Sequence, residues 1–254
     1  MMSAIAVPLS KSTWESEVEP MLEVKNINAF YGNVQVLWDV CLNIKEGEIV
    51  ALVGGNGAGK TTLLNVIAGL MKPAAGSVTF MGKDITGLTP NSVVEMGISY
   101  LPEGGRLFPD MSIQENLEMG AFLKENWKKK NEMLVKVYQT FPKLKDRRKQ
   151  LAKTLSGGER QMLAMGRCLM SGPKVGMFDE LSYGMAPKLV KESFEMLKML
   201  RDQGLTIFLV EQNVKQSLEI ADRAYVLENG SIVSSGACDF LLEDDNIKKA
   251  YLGL

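Results

Sequence analysis

The chain has 254 residues, of which 46% are hydrophobic and 23% are charged, so it can bury a large core and is most simply one domain with an inserted subdomain. Its 29 basic and 30 acidic side chains leave a net charge of -1, which argues against a nucleic-acid partner. Histidine is absent, and this excludes both Ser-His-Asp hydrolysis and histidine-based zinc sites.

The beginning of the chain shows no pattern of a folded element. Its short apolar stretch at 4–7 is followed by Pro8 and has no basic residue before it, so it lacks the build of a signal peptide. We predict a disordered tail at 1–20 and a folded domain at 21–254. No run reaches the roughly twenty apolar residues of a membrane helix. The cysteines lie far apart without a C-x-x-C pair, which indicates free thiols.

Antiparallel strands are predicted at the start of the folded domain. Residues 21–29 alternate apolar and polar side chains, the period of a half-buried strand, and residues 34–44 predict a second one. The turn at 45–47 leads into the apolar run 49–53, which predicts a buried strand. Further along, the pattern predicts a strand at 76–81, a helix at 90–96 and a strand at 97–101.

The middle of the chain has a helical and charged pattern. We predict an inserted helical subdomain at about 103–172, and we interpret its basic clusters at 128–130 and 147–149 as solvated helix faces. Helices and strands then alternate, with strands predicted at 174–180, 205–210, 223–227 and 231–234, helices at 188–203 and 214–221, and two short helices within 239–251.

A phosphate-binding pattern, G-x-x-x-x-G-K-[ST], follows the buried strand at 49–53. Its residues are Gly54, Gly55, Asn56, Gly57, Ala58, Gly59, Lys60 and Thr61, with Thr62 after them. The glycines let backbone N–H groups converge on phosphate oxygens, and the following helix adds its positive dipole end. Lys60 would reach the β- and γ-phosphates of ATP, and Thr61 would offer its hydroxyl to Mg²⁺. We expect Thr62 to start a helix whose apolar residues, including Leu70, pack on the sheet.

Two carboxylates, Asp179 and Glu180, end the predicted strand at 174–180. Ligands of α/β proteins bind at the carboxyl ends of the strands. Asp179 would hold Mg²⁺, directly or through water, opposite Thr61. Glu180 would accept a proton from the water that attacks the γ-phosphate, or orient that water. A solvated turn is the alternative interpretation, but the phosphate loop upstream favours the chemical one.

A second anion site is indicated at 155–161, whose sequence is Leu-Ser-Gly-Gly-Glu-Arg-Gln. Ser156 can cap the helix that Gly157 and Gly158 open, and it can also donate to a phosphate; a helix cap alone is the alternative. The stretch, which includes Glu159, resembles the signature sequence of the ATP-binding-cassette (ABC) ATPases. In that family one subunit's signature covers the ATP held by the other's phosphate loop. The resemblance therefore implies a head-to-tail dimer with two sandwiched nucleotides.

The resemblance also implies a fold and several residue roles. The fold would be α/β, a P-loop NTPase core of the ABC ATPase type with an antiparallel β subdomain and the helical insertion. Tyr31 lies where an aromatic ring stacks on adenine, although a tyrosine ending a strand is the alternative. Glu103 stands at the Q-loop glutamine that senses Mg²⁺ and γ-phosphate. Gln212 stands at the switch histidine; its amide can donate a hydrogen bond to the γ-phosphate but cannot be protonated.

One branch of the family, the LivF-type ATPases of branched-chain amino acid uptake, is similar to this chain from about 22 to 254. The similar stretches are 101–104, 161–164, 184–187, 209–213 and 250–254. The resemblance implies an ATP-hydrolysing subunit of an importer, peripheral on the cytoplasmic face of the membrane. Its partners would be a second ATPase subunit, transmembrane permeases and, indirectly, a solute-binding protein. The loop 103–109 should face the permease, with Leu107 and Phe108 as apolar contacts; core packing of Phe108 is the alternative.

Some residues depart from the pattern of that branch. Leu181 replaces the proline after the catalytic glutamate, and Gly176 replaces an aliphatic residue, so a flexible strand and an unconstrained turn could loosen Glu180. Tyr183 stands where members of that branch usually have a small or aliphatic residue, and Gly105 stands where they tend to have arginine. Two other functions stay open: a soluble ABC ATPase of translation or DNA repair, and a degenerate regulatory nucleotide-binding module. The former usually has tandem cassettes or a long coiled-coil insertion, which this sequence lacks.

Overall fold

The computed structural model describes residues 19–244 and 247–248. The predicted tail at 1–20 therefore lies outside the described residues except for Glu19 and Pro20, and so does the ending at 250–254. The described strands are β1 (Leu22–Tyr31), β2 (Val34–Ile44), β3 (Ile49–Val53), β4 (Ala75–Phe80), β5 (Lys83–Asp84), β6 (Ile98–Leu101), β7 (Val175–Asp179), β8 (Thr206–Glu211), β9 (Arg223–Glu228) and β10 (Ser231–Ala237).

Helices fill most of the chain between these strands. They are α1 (Lys60–Ile67), α2 (Pro90–Met96), α3 (Ile113–Gly120), α4 (Lys124–Lys128), α5 (Lys130–Thr140), α6 (Pro142–Asp146), α7 (Gly157–Leu169), α8 (Pro187–Asp202), α9 (Val214–Leu218) and α10 (Cys238–Glu243). Those from α3 to α7 lie between β6 and β7, where the sequence predicted a helical insertion.

The strands form two sheets. A four-stranded antiparallel sheet has the order β2-β1-β4-β5, and a six-stranded sheet has the order β10-β9-β3-β8-β7-β6. In the larger sheet only the β9–β10 pair is antiparallel. All residues of β3, β7 and β8 are buried, as expected of parallel strands covered on both faces. The predicted α/β class with an antiparallel sheet is confirmed.

Both faces of the larger sheet are packed against other elements. Along β8, Phe208 and Val210 belong to a cluster with Leu63 of α1 and with the antiparallel sheet. Their neighbours point the other way, and Ile207 packs in a cluster with Leu163 of α7. Because the strands run parallel between two layers, their carboxyl ends meet at one edge, where ligands of α/β proteins bind.

Close helix packing holds the insertion together. A Cβ added at Gly120 of α3 would lie 2.1 Å from the carbonyl oxygen of Arg167, and one at Gly166 of α7 would lie 2.9 Å from Leu117. These glycines let α3 and α7 approach each other closely. Lys128 of the first basic cluster forms an exposed ion pair with Glu125, as predicted for a solvated face.

Two predictions about local structure are wrong. Helix α1 begins at Lys60 rather than Thr62 and ends before Gly69, whose φ of 72° terminates it. Leu70 therefore lies beyond the helix and is 58% exposed instead of packing on the sheet. Gly176 does not make its strand flexible, since β7 is paired with both β6 and β8. A Cβ at Gly176 would lie 2.7 Å from the Phe178 ring, so the glycine makes room for that side chain.

Candidate functional site

The phosphate loop connects the carboxyl end of β3 to the start of α1. Gly57 and Gly59 have φ values of 78° and 108°, which favour glycine strongly. A Cβ at Gly54 would lie 2.2 Å from the carbonyl oxygen of Leu227, so no larger residue fits there. Asn56 is exposed at the loop, whereas Thr62 is buried on α1. The loop thus has the backbone freedom that the pattern predicts.

Lys60 lies at the centre of a compact polar cluster. Its ammonium group donates to the carbonyl oxygens of Gly54 at 3.0 Å and Gly55 at 3.1 Å. It also forms an ion pair of 3.1 Å with Oε1 of Glu180, and its side chain is only 3% exposed. The structure therefore brings the loop lysine to the carboxylate that follows β7.

Asp179 is the second carboxylate of this cluster. Its Oδ2 accepts a hydrogen bond of 3.0 Å from the Thr61 hydroxyl and one of 2.9 Å from the Tyr100 hydroxyl. Burial raises the pKa of Asp179, and the hydrogen bonds from Tyr100 and Thr61 oppose that rise. Sequence reasoning missed Tyr100. The sequence feature that could have indicated Tyr100 is a side chain with a hydroxyl near the end of β6, the strand beside β7.

Glu180 adopts an unusual backbone conformation at the turn after β7. Its φ is 46°, in the left-handed region that residues other than glycine rarely occupy. Its amide donates to the carbonyl oxygen of Val210 at 2.8 Å, which extends the contact between β7 and β8. Leu181 then buries its side chain in the core between the sheet and α7.

Glu211, the last residue of β8, is a second residue that sequence reasoning missed. It is fully buried, and its carboxylate accepts from the Ser182 amide at 2.9 Å, the Ser182 hydroxyl at 2.6 Å and the Gln212 amide at 3.3 Å. Burial raises the pKa of Glu211. The sequence feature that could have indicated Glu211 is an acidic residue at the end of an otherwise apolar strand.

A cavity of about 310 Å³ lies beside these residues. It is lined by Glu180, Ser182, Tyr183, Gly184, Glu211, Gln212 and Asn213.

The stretch at 155–161 leads into the amino-terminal end of α7, where Gly157 lines a cavity that Glu180 also lines. Ser156 and Glu159 make a capping box, in which Oε2 of Glu159 accepts from the Ser156 amide and hydroxyl, each at 2.9 Å. These hydrogen bonds lower the pKa of Glu159. Between described residues, no hydrogen bond or ion pair joins Ser156, Gly157, Gly158 or Glu159 to the phosphate loop.

Between described residues, Tyr31 and Glu103 form no hydrogen bond or ion pair with the polar cluster. Tyr31 ends β1 with an exposed ring, and Glu103 is exposed in the loop after β6.

Within residues 19–244 and 247–248, no group of three or more histidine, cysteine, aspartate or glutamate residues could hold a metal ion by itself. None of the described helices is long and apolar enough to cross a membrane.

The fold and the cluster together define a P-loop nucleoside triphosphatase. A phosphate loop faces two carboxylates at the carboxyl edge of a parallel sheet that carries a helical insertion. The ABC transporter family matches residues 37–182, more than half of the chain. This chain belongs to that family and is one of its ATP-binding and ATP-hydrolysing proteins.

Similar proteins extend this match over almost the whole chain. It is 46% identical over 233 residues to the high-affinity branched-chain amino acid transport ATP-binding protein BraG of Pseudomonas aeruginosa, covering 92% of the chain and 100% of BraG. It is 40% identical over 235 residues to the probable branched-chain amino acid transport ATP-binding protein LivF of Archaeoglobus fulgidus, covering 92% and 99%. A crystal structure of an ABC transporter cassette in its ADP conformation matches with a TM-score of 0.82 at 29% identity, covering 93% and 100%. The predicted family is confirmed.

Proposed function

We propose that this chain is the ATP-hydrolysing subunit of an importer for branched-chain or related amino acids. The observation that carries the proposal is the 46% identity along the full length of BraG, a branched-chain amino acid transport ATP-binding protein. The polar cluster supplies the chemistry for ATP turnover. The transported solute would be recognised by other chains of the complex.

In the proposed site, the phosphates of ATP lie on the backbone N–H groups of 54–59 and on Lys60. Mg²⁺ would be held by Thr61 and Asp179. The Thr61 hydroxyl and Oδ2 of Asp179 lie 3.0 Å apart, so both oxygens could reach one small cation. Mg²⁺ would supply neutralisation of the charge on the phosphates. Phosphate oxygens and water would complete its shell, and Glu103 would sense the metal from the loop after β6.

Glu180 and Gln212 would act on the attacking water and the γ-phosphate. The two residues line the same cavity, which supports a joint role. Glu180 would accept the proton or orient the water, while the Gln212 amide would donate a hydrogen bond to the γ-phosphate. Tyr31 would stack on the adenine, a role that its exposed ring at the end of β1 supports.

A second ATPase subunit, either a copy of this chain or a sister protein, would complete each nucleotide site. Ser156, Gly157 and Gly158 belong to the Leu-Ser-Gly-Gly-Glu-Arg-Gln stretch that resembles the ABC signature, which supports their acting on the ATP of the partner. Glu159 already accepts from Ser156 and pairs with Arg147, so we assign it to holding the cap rather than to touching phosphate. ATP bound between the subunits favours the closed dimer, and hydrolysis reopens it.

An apolar groove supports a membrane permease as the next partner, with this subunit peripheral on the cytoplasmic face of the membrane. The groove has a volume of about 350 Å³ and lies between α2, β6, α3 and α7. Its exposed apolar side chains include Leu70, Phe108 and Phe122. Arg167 holds the loop 103–109, which carries Phe108, by donating to the carbonyl oxygens of Gly105 at 2.6 Å and Arg106 at 2.9 Å. Phe108 is 42% exposed, so the alternative of core packing is wrong.

Co-purification tests the transporter assignment. The tagged chain, isolated from detergent-solubilised membranes, should bring along permease subunits and a solute-binding protein, identified by mass spectrometry. Phe108→Glu should lower permease recovery, because it places a charge in the apolar groove. Phe240→Glu is the matched control, since Phe240 is 70% exposed on α10 and does not line the groove. Recovery of ribosomal or DNA-repair proteins instead of a permease would contradict the proposal.

Gln212→Ala is expected to slow hydrolysis more than it weakens ATP binding. The variant loses one donor to the γ-phosphate, so we expect kcat to fall about tenfold or more while the Kd for ATP changes less than about threefold. Single-turnover kinetics and equilibrium titration with a fluorescent nucleotide measure the two quantities. Gln203→Ala, at the exposed end of α8, is the control. Turnover equal to that of the wild type would remove Gln212 from the mechanism.

A further inference from the structure

The turn that carries Glu180 must be held by its surroundings. A φ of 46° at a residue other than glycine is strained and persists only where neighbouring contacts over-determine it. Residue 181 is a leucine, so no proline ring restricts the next φ angle. The contacts that hold this turn therefore decide where the Glu180 carboxylate lies.

Most of those contacts lead to the end of β8. The Glu180 amide donates to the carbonyl oxygen of Val210 at 2.8 Å. Two residues further on, the Ser182 amide donates to Oε1 of Glu211 at 2.9 Å, and the Ser182 hydroxyl donates to Oε2 of Glu211 at 2.6 Å. The turn is thus tied to the neighbouring strand on both sides of Leu181.

The same carboxylate also holds the segment on its other side. Oε2 of Glu211 accepts from the Gln212 amide at 3.3 Å. Glu211 is 0% exposed, and between described residues it forms no ion pair. A buried carboxylate without a cation costs free energy unless hydrogen-bond donors satisfy it, and here the donors come from the segments of Glu180 and Gln212.

We propose that Glu211 is a positioning residue for ATP hydrolysis, whose carboxylate sets the placement of Glu180 relative to Gln212. The inference rests on the roles proposed above for those two residues. Ser182 is the partner of Glu211, because the two hydrogen bonds from Ser182 to the Glu211 carboxylate link the turn at Glu180 to the end of β8. Glu211 touches neither nucleotide nor water in this assignment; it acts through the two turns it joins.

Glu211→Gln tests the link with little change in side-chain volume. The amide has one acceptor oxygen instead of two, so it cannot accept from all three donors. Misplacing a reacting group by about 1 Å can cost on the order of one hundredfold in rate, so we expect kcat to fall between about tenfold and one hundredfold. The KM and the Kd for ATP should stay within about twofold. Ser182→Ala should show a smaller fall in kcat, and Ser182→Thr, which keeps the hydroxyl, should restore it.

The control is Ser193→Ala, which removes another hydroxyl well inside the protein. Ser193 on α8 donates to the carbonyl oxygen of Leu189 at 2.9 Å and does not line the cavity that Glu180 and Gln212 share. It should lower the melting temperature without changing kcat per folded molecule. In the double variant Glu211→Gln/Ser182→Ala, the rate should equal that of Glu211→Gln alone, because one link carries both effects.

The outcomes separate this inference from the proposed function. Wild-type turnover by Glu180→Gln would overturn the role of Glu180 itself. If Glu180→Gln abolishes turnover while Glu211→Gln keeps the wild-type kcat, only the positioning role of Glu211 is overturned. A loss in Glu211→Gln that matches its loss of folded protein, measured by circular dichroism, would also overturn it, since Glu211 would then support stability alone.

Discussion

Lys60→Ala is expected to abolish nucleotide binding. The lysine is buried at the centre of the polar cluster and is the cation closest to the loop carbonyl groups of Gly54 and Gly55 and to Glu180. Removing one partner of a buried charged contact costs about 3 kcal/mol, which weakens binding by more than about one hundredfold. Equilibrium titration with a fluorescent ATP analogue measures this change.

Lys198→Ala provides the matched control for charge. Lys198 pairs with Glu195 on the surface of α8, so its loss changes the net charge equally without touching the phosphate loop. Circular dichroism should show that both variants keep the wild-type fold. A Kd for Lys60→Ala close to that of the control would contradict the assignment of this loop as the phosphate site.

Glu180→Gln should retain ATP and lose its hydrolysis. Glutamine keeps the size of the side chain and can still accept from Lys60, but it cannot take the proton of the attacking water. Loss of a general base costs about one hundredfold to ten-thousandfold in kcat. Because hydrolysis reopens the closed state, the variant should accumulate as an ATP-bound dimer, visible by gel filtration.

Glu195→Gln, an exposed change of the same charge on α8, should turn over ATP at the wild-type rate and show no excess dimer. An unchanged kcat in Glu180→Gln would remove this residue from the chemistry. A variant that binds ATP but elutes as a monomer would contradict pairing of this chain with itself. Mixing it with a sister ATPase from the same complex would then test pairing between different subunits.

Local patterns predicted much of this molecule because they report on short-range requirements. The strand at 49–53, the glycines after it and the pair Lys60 and Thr61 have their meaning within about a dozen residues. The alternation of buried strands and helices predicted the α/β class. Bounds were less accurate: α1 starts at Lys60, because helical backbone begins directly after Gly59, and Leu70 falls outside it after Gly69.

Contacts between segments that are far apart along the chain could not be predicted from local patterns. Tyr100 precedes Asp179 by many residues, and the two meet only because β6 pairs with β7. Glu211 and Ser182 meet because β8 lies on the other side of β7. Gly176 appeared to loosen its strand when considered alone, yet the Phe178 ring occupies the space that a side chain would need. No pattern along the chain encodes these neighbours.

The sequence by itself determined the class of chemistry, because a phosphate loop requires particular residue types at adjacent positions whatever surrounds them. It also determined the layered α/β architecture, since buried strands and amphipathic helices have characteristic periods. Only the tertiary structure decided which side chains hold Asp179 and the turn at Glu180, and which apolar residues stay exposed in the groove. Those features depend on strand order and on packing between layers, which bring together residues that are far apart along the chain.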